Sequence, residues 1–534
     1  MNLCHNKRLH PMLEVQTATR KIASVNPATG EVLAEFEPVT EQQVRAAVAR
    51  ARKAQPSWNE MGVERRARIL GNFQKLLQGK KSDLARIITR ETGKPLGEAL
   101  VTEVLVVLDA ARFARQHAFG FLREEVVPHD NWATKTKSGR IRREPYGVVG
   151  VISPWNYPLS IPASEALAAL VTGNALVLKP SELTSCTALA LGDLFSEAGV
   201  PRDIFQVVPG DQITGSALVD SPIDKLVFTG SLTTGKQIAQ AAASRLLPVV
   251  LELGGKDPML VLGDADVEVA SSGAVWGAFV NAGQACLSVE RCYVDRKLYE
   301  PFVAACVEKT RRLRVGNGES PQVDVGPLIG ERQVETVASQ VEDAVARGAQ
   351  VLVGGSRLTT LGSNFYAPTV LTNVSHQMRV MREETFGPVL PIMAFDGEGE
   401  AVELANDSDY GLGASIWTRN RRRGEKLARQ IHAGMVMVND AVSCFGIAEA
   451  PHGGMRMSGL GRTHGKFGLE EMVRIKYVDT DRTPGWKKVW WYGYGERFPQ
   501  QMEALIDLLF ASRMGQRLRG ARRFTRVFES KERL

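Results

Sequence analysis

The chain has 534 residues, 44% hydrophobic and 23% charged, so it is long enough for two or three domains and too apolar for general disorder. No uninterrupted apolar run reaches the roughly 20 residues that cross a bilayer. The net charge is +7, but residues 483–534 alone carry 11 Lys and Arg against 5 Asp and Glu. The nearly neutral remainder gives no support to nucleic-acid binding as the role of the whole protein.

Targeting and cysteine patterns indicate the compartment. Residues 1–20 form an N-terminal extension that lacks the apolar stretch of a signal peptide. The six cysteines show no paired spacing, which disfavours a disulfide framework and a zinc site. We therefore expect free thiols in a reducing, cytoplasmic compartment, and no metal.

The N-terminal part of the chain is predicted to be helical. Thr40-Glu41-Gln42-Gln43 has the pattern of a capping box that opens a helix. An amphipathic stretch from Ile69 to Ile88 continues to Gly93, with Pro95 just beyond, and another helix is predicted over about 96–117.

Short apolar segments then alternate with helical ones. The predicted strands are Gly147–Ile152, Ala175–Lys179, Ile204–Val208, Lys225–Thr229 and Val249–Leu253. Almost wholly apolar strands separated by helices indicate a parallel sheet buried on both faces, in a doubly wound α/β domain. Ligands of such sheets bind at the carboxyl ends of the strands, so the segments after each strand are the candidates for chemistry.

Polar residues and glycines follow these strands. The segments are Ser153–Pro158, Lys179–Glu182, Phe228–Ser231, Glu252–Lys256 and, further on, Phe279–Cys286. Taken singly, most have ordinary structural interpretations: Asn156 as a turn residue, Lys179 with Glu182 as a surface ion pair, Cys286 as a buried thiol. Glu252 is less ordinary, because a carboxylate directly ends an apolar strand.

Together these residue types fit one chemistry, the covalent oxidation of an aldehyde. A thiolate adds to the carbonyl carbon, and amide N–H groups stabilise the oxyanion that forms. After hydride leaves to a dinucleotide, the resulting thioester needs a water molecule that a carboxylate activates.

From about Ser24 to Val478 the chain resembles the NAD(P)-dependent aldehyde dehydrogenase superfamily, in its hydrolytic branch. The matching motifs are Pro154-Trp155-Asn156-Tyr157-Pro158, Glu252-Leu253-Gly254-Gly255-Lys256, Gln284-Ala285-Cys286 and Glu383-Glu384-Thr385-Phe386-Gly387-Pro388. The resemblance implies that Cys286 is the nucleophile, that Glu252 is the base, and that Asn156 with the Cys286 N–H forms the oxyanion hole.

The resemblance also implies the cofactor site. Its residues would be Trp155, Lys179, Glu182, Gly230, Ser231, Gly254, Glu384 and Phe386. Lys179 and Glu182 would contact the adenosine ribose, and Glu384 the nicotinamide ribose. Glu182 would accept hydrogen bonds from a free 2′-hydroxyl and repel a 2′-phosphate, so NAD is favoured over NADP.

The resemblance further implies two α/β domains, a bridging element and a homodimer or homotetramer. The expected segments are a dinucleotide-binding domain at 21–125 and 145–253, an oligomerisation element at 126–144 and 457–482, a catalytic domain at 254–456, and a basic tail at 483–534.

The expected substrate pocket is apolar. Its rim should include Tyr157, Ile161, Ser164, Leu287 and Cys444–Gly446, which suits long or aromatic aldehydes. A semialdehyde of a metabolic intermediate is the alternative substrate.

The tail has two interpretations. Trp486–Trp491, an amphipathic stretch at Met502–Phe510 and arginines from Arg513 to Arg526 are typical of an anchor at a membrane surface. They also suit a helix packed on a partner subunit with a solvated basic end, or disorder.

Two rival functions remain. One is the coenzyme A-acylating branch, which the presence of Glu252 disfavours. The other is a membrane-associated binding protein with a vestigial site, which would be expected to have lost Cys286, Glu252 or Asn156.

Overall fold

The structure is a computed structural model that describes residues 21–131, 134–488 and 490–529, with side chains up to Thr525. The N-terminal extension 1–20, with Cys4, and the side chain of Arg526 lie outside the described residues. Within the described part of the chain, no helix is both long and apolar enough to span a bilayer.

The described elements alternate between strands and helices through most of the chain. The strands are β1 (Ile22–Val25), β2 (Val32–Phe36), β3 (Glu125–Val127), β4 (Lys137–Pro145), β5 (Val148–Ile152), β6 (Ala175–Lys179), β7 (Phe205–Val207), β8 (Lys225–Thr229), β9 (Val249–Glu252), β10 (Asp257–Val261), β11 (Val289–Asp295), β12 (Gln350–Val353), β13 (Thr369–Thr372), β14 (Val389–Phe395), β15 (Gly413–Trp417), β16 (Met435–Val438), β17 (Gly459–Leu460) and β18 (Val473–Asp481). The α-helices are α1 (Glu41–Glu60), α2 (Val63–Gly79), α3 (Lys81–Thr92), α4 (Leu96–Glu98), α5 (Leu105–Leu122), α6 (Ser160–Val171), α7 (Ser185–Ala198), α8 (Gln212–Asp220), α9 (Leu232–Ala243), α10 (Val267–Phe279), α11 (Tyr299–Arg311), α12 (Glu331–Ala346), α13 (Arg379–Arg382), α14 (Gly397–Asn406), α15 (Arg421–Ala428), α16 (Gly465–Glu470), α17 (Phe498–Phe510) and α18 (Met514–Glu529).

The first large sheet has the strand order β17-β9-β8-β5-β6-β7 and is parallel except for β17. Its five parallel strands are those predicted from the apolar segments, and β6 and β8 have the predicted bounds. The predicted α/β fold with a parallel sheet is confirmed. Because the strands are parallel, β5, β6, β8 and β9 all end at one edge of the sheet, where the candidate residues follow them.

The second large sheet has the order β12-β13-β14-β11-β10-β15-β16 and is parallel except for β12. Its inner strands are buried and carry a separate apolar core, whereas the edge strand β12 is partly exposed. Together with the first sheet it belongs to one compact unit, which spans residues up to Glu124 and from Arg142 to Lys476.

A second, smaller unit comprises residues 125–141 and the chain from Tyr477 onward. β3 and β4 pair as an antiparallel hairpin, in a three-stranded sheet of order β18-β4-β3. The segment 457–482, assigned above as a whole to the bridging element, divides in the structure. Val473–Asp481 joins this sheet, whereas Gly459–Leu460 pairs with β9 in the first large sheet.

The N-terminal helices differ from the prediction in two places. The amphipathic stretch expected to be continuous is broken into α2 and α3 at Lys80, whose backbone leaves the helical region and whose N–H bonds to Leu76. The helix predicted over 96–117 contains a π-helical segment, Ala99–Val104. Gly93 ends α3 in the left-handed conformation that glycine favours, with φ of 78°.

Candidate active site

Two openings meet at the carboxyl edge of the first large sheet. One is an apolar cavity of about 420 Å³, and the other is a groove of about 710 Å³. Cys286 and Glu252 line both. The structure therefore brings the predicted nucleophile and the predicted base together at the junction of the two openings.

Glu252 ends β9 and is only 5% exposed, and neither of its carboxyl oxygens has a hydrogen-bond partner among the described residues. Burial, and to a smaller extent the neighbouring Glu165, raises the pKa of Glu252 well above the ordinary value, while Arg462 opposes the shift. A buried carboxyl without a partner is costly, and such groups concentrate at functional sites.

Cys286 follows a strained turn. Asn281 and Ala282 have φ of 54° and 55°, in the left-handed region that non-glycine residues rarely adopt. The Asn281 N–H donates to Glu98 Oε2 at 2.9 Å, which helps to hold the turn. Burial, together with Asp257 and other carboxyl groups, raises the pKa of the Cys286 thiol well above 9.0, so a base must take its proton before it can attack.

The side chain of Asn156 reaches the segment that carries Cys286. Its Nδ2 donates to Gln284 O at 3.0 Å, and the backbone carbonyl of Asn156 accepts from Asn281 Nδ2 at 3.0 Å and from Lys94 Nζ at 2.7 Å. These bonds fix the amide beside Cys286, since both residues line the groove.

A buried ion pair holds this loop from the other side. Lys94 Nζ lies 2.8 Å from Glu103 Oε1, and both side chains are fully buried. Glu103 Oε2 accepts from the N–H groups of Leu159 and Ser160, at the start of α6. The sequence did not mark this pair, because isolated Lys and Glu residues in a helical region resemble solvated charges.

The groove gathers most of the predicted cofactor residues. Those that line it are Trp155, Glu182, Gly230, Ser231, Gly254, Glu384 and Phe386. Lys179 is not among the lining residues, but its Nζ lies 3.5 Å from Glu182 Oε2. Ser231 caps α9 by accepting from Thr234 N, so the N-terminus of this helix faces a groove suited to a phosphate group.

Gly254 allows the Glu384 carboxyl group to approach the backbone closely, which any side chain at this position would prevent. A Cβ at this position would lie 2.3 Å from a carboxylate oxygen of Glu384, whose Oε1 accepts from Gly255 N at 3.1 Å. Trp155 and Phe386 meet edge to face, with ring centroids 5.5 Å apart. A glycine at close approach, a carboxyl group, two aromatic rings and a helix N-terminus together suit the binding of a dinucleotide.

A second buried pair positions the Glu384 loop. Lys256 Nζ lies 2.5 Å from Glu290 Oε2 and also contacts Thr385 Oγ1 at 3.0 Å. Glu290 accepts from the N–H groups of Thr385 and Phe386, at 2.8 and 2.9 Å. Sequence reasoning missed Glu290, because this carboxylate lies near the start of a strand and not at its carboxyl end, where Glu252 was noticed.

The structure also places two histidines in the apolar cavity with Glu252 that the sequence did not assign to the site. The two residues are His452 and His464. Ser164, expected at the pocket rim, lies instead in a separate small cavity with Glu165 and His464. Within the described part of the chain, no group of three or more His, Cys, Asp and Glu side chains is arranged to hold a metal ion.

Comparison with known proteins identifies the family. Residues 14–478 match the aldehyde dehydrogenase family. A 4,4′-diapolycopene aldehyde oxidase from Methylomonas sp is 40% identical over 92% of this chain and 91% of the relative. A Mycolicibacterium smegmatis protein, proposed by name to be an NADP(+)-linked succinate-semialdehyde dehydrogenase, is 41% identical over 85% of this chain and 87% of the relative.

A solved structure leads to the same conclusion. The NAD+ complex of aldehyde dehydrogenase from Bacillus cereus superimposes with a TM-score of 0.83 and is 37% identical, covering 86% of this chain and 93% of the other. The chain therefore belongs to the aldehyde dehydrogenase family and is an enzyme that oxidises an aldehyde with NAD or NADP.

Proposed function

We propose that Cys286 is the nucleophile of this enzyme, that Glu252 is its general base, and that Asn156 is the side-chain donor of its oxyanion hole. The observation that supports this most strongly is that Cys286 and Glu252 both line the junction of the apolar cavity and the groove. An aldehyde in the cavity would present its carbonyl carbon to the sulfur at this junction.

In the first half of the reaction, the Cys286 thiol releases its proton to solvent water and Sγ forms a bond to the carbonyl carbon. The electron pair of the C=O bond moves to oxygen, and Asn156 Nδ2 with the Cys286 N–H stabilises the oxyanion. Asn156 then exchanges its bond to Gln284 O for a bond to this oxygen.

Trp155, Glu182, Ser231, Glu384 and Phe386 would hold the dinucleotide in the groove. When bound, NAD supplies the acceptor for the hydride that leaves the thiohemiacetal carbon. The thioester left on Cys286 is then hydrolysed: Glu252 takes a proton from water, the water oxygen attacks the acyl carbon, and the C–S bond breaks to release the acid.

The exposed carboxylate of Glu182 favours NAD over NADP by repelling a 2′-phosphate.

Replacing the two central groups separates the two halves of the reaction. Cys286→Ala should abolish NADH formation, whereas Glu252→Gln should lower steady-state turnover by about 10²–10⁴-fold, the usual contribution of a general base. Wild-type turnover should rise with pH above neutrality, because both groups act deprotonated and burial raises the pKa of each. NADH absorbance measures the turnover of both variants and, across a pH series, the pH dependence of the wild type.

The matched control is Cys186→Ala, which removes a free thiol outside both openings and should leave turnover unchanged. NADH formation by Cys286→Ala at the wild-type rate would disprove the assignment of the nucleophile.

We further propose that the substrate is a neutral, apolar aldehyde, either long-chain or aromatic. The cavity is lined by side chains such as Leu105, Val106, Tyr157, Leu287 and Phe445. No Lys or Arg is among its described lining residues, whereas Asp109 and Glu165 are. The carboxylate at the far end of a semialdehyde would find acidic neighbours and no cation, which disfavours the semialdehyde alternative. The relative named as a diapolycopene aldehyde oxidase supports this choice.

Substrate chain length tests this proposal. Along the series from butanal to dodecanal, kcat/KM should rise about fourfold per CH₂ that enters the cavity, from roughly 0.8 kcal/mol of transfer free energy each. Leu105→Lys should reduce this rise, and Leu246→Lys, at a site 88% exposed and outside the cavity, should not. A higher kcat/KM for succinate semialdehyde than for dodecanal would contradict the proposal.

We also propose a homodimer or homotetramer that assembles through the three-stranded sheet. Val126 and Tyr477 are exposed on its strands, as apolar and aromatic groups are at surfaces that a partner covers.

We propose that the tail binds an anionic membrane surface, as a peripheral contact of a cytoplasmic enzyme. α17 and α18 pack closely where Gly520 faces the backbone of α17, since a Cβ there would lie 2.6 Å from Leu508 N. Large apolar side chains remain exposed on the tail, among them Trp486, Trp491, Tyr492 and Phe510. Interfacial aromatics beside arginines are the combination that anionic bilayers attract.

Vesicle co-sedimentation tests the tail. Full-length protein should bind vesicles of mixed phosphatidylglycerol and phosphatidylcholine, and truncation at Thr483 should abolish binding without loss of turnover. The double variant Arg522→Gln/Arg523→Gln should weaken binding about 30-fold, from about 1 kcal/mol per arginine near the surface. Arg421→Gln/Arg422→Gln on α15 is the matched control. Binding that survives truncation, or full-length protein that stays in solution, would refute the proposal that the tail is the membrane anchor.

A further inference from the structure

The inner end of the apolar cavity contains polar groups that the mechanism above leaves without a task. Glu165, His452 and His464 line the cavity together with Glu252. All four side chains are buried or nearly so, in walls that are otherwise largely apolar. A general base enclosed in this way needs a route by which its proton can leave, because its own oxygens have no hydrogen-bond partner among the described residues.

His452 is held next to this base. Its Nε2 lies 3.8 Å from Glu252 Oε2, so a shift of less than 1 Å would close a hydrogen bond. Its backbone is paired in both directions with Thr463, at 2.8 Å each, which fixes the ring against the end of β9. The ring is only 4% exposed.

Both rings have a ring nitrogen without a partner among the described residues, Nδ1 of His452 and Nε2 of His464. The centroids of the rings are 5.6 Å apart, and Phe445 packs edge-on against both. His464 Nδ1 lies 3.0 Å from Thr463 Oγ1. Buried polar atoms are normally satisfied, so two unpaired nitrogens on adjacent histidines indicate a role beyond packing.

His464 lines a second cavity as well. It shares with Glu165 this small cavity of about 30 Å³, large enough to hold a water molecule. The polar groups thus follow one another from Glu252 through His452 and His464 to a site for water.

We propose that His452 and His464 relay the proton that Glu252 takes from the hydrolytic water. This inference rests on the proposed role of Glu252. The Glu252 O–H bond breaks as His452 Nε2 takes the proton, the Nδ1–H proton of the same ring passes to His464, and His464 releases a proton to water. Glu252 returns to its carboxylate form and the proton of the hydrolytic water has been exported, while the proton of the product acid passes to the Cys286 sulfur that the thioester releases.

The charges around the relay suit transfer rather than storage of the proton. Glu252 faces Glu165 of α6, Arg462 and Glu471, and Lys225 of β8 faces Glu165. Burial lowers the pKa of His452 to about 3, with smaller contributions from His464 and Arg462, and burial lowers the pKa of His464 to about 4. Neutral imidazoles both donate and accept, so each ring can pass on a proton without keeping the charge.

His452 is thus a positioning residue that acts through Glu252, and its replacement should slow hydrolysis and spare acylation. In stopped-flow experiments with NAD and dodecanal, His452→Ala and His452→Gln should form a first NADH per subunit as the wild type does. Their steady-state turnover should then fall about 10²-fold. Added imidazole should restore turnover to His452→Ala, which a purely structural defect would not allow, and His464→Gln should show the same burst with slow turnover.

His117→Gln, on the exposed face of α5, is the matched control and should behave as the wild type. Unchanged steady-state turnover in His452→Gln, loss of the burst in parallel with turnover, or failure of imidazole to rescue His452→Ala would each overturn the relay. Failure of the underlying mechanism can be told apart from failure of the relay. NADH formation by Cys286→Ala at the wild-type rate would refute the proposed nucleophile, whereas the results for the histidine variants test the relay alone.

Discussion

The site depends on one constraint: a thiol and a carboxyl group are kept together in a largely apolar junction, where the carboxyl group has no hydrogen-bond partner among the described residues. Burial raises the pKa of both Cys286 and Glu252, so each holds its proton until a substrate or a partner changes its surroundings. Such groups cost free energy in a folded protein. The surrounding structure tolerates that cost because two parallel sheets fix the backbone on both sides of the junction.

Paired charges hold the loops that complete the site. Lys94 with Glu103 fixes the loop of Asn156, and Lys256 with Glu290 fixes the loop of Glu384. In both pairs the carboxylate also accepts from backbone N–H groups, so each pair converts a flexible connection into a defined one. Separating the two partners would leave an uncompensated buried charge, which is costly. The loops therefore stay in the position that keeps each pair together.

The sequence predicted the elements whose signal is local. Continuous apolar segments identified the parallel strands, Glu252 was recognisable because it ends such a segment, and Cys286 was recognisable from its motif. The supporting residues could not be found in this way. His452 lies 200 positions after Glu252 in the chain, and only the pairing of its backbone with Thr463 brings its ring to the carboxyl group. The break between α2 and α3 was also missed, because the apolar periodicity continues through Lys80 while the backbone does not.

The most direct test of the account is to trap the covalent intermediate. Glu252→Gln protein incubated with NAD and dodecanal should accumulate a dodecanoyl thioester, and mass spectrometry of its peptides should place that acyl group on Cys286. An acyl group on another residue, or NADH formed while no acyl group is attached to Cys286, would contradict the account.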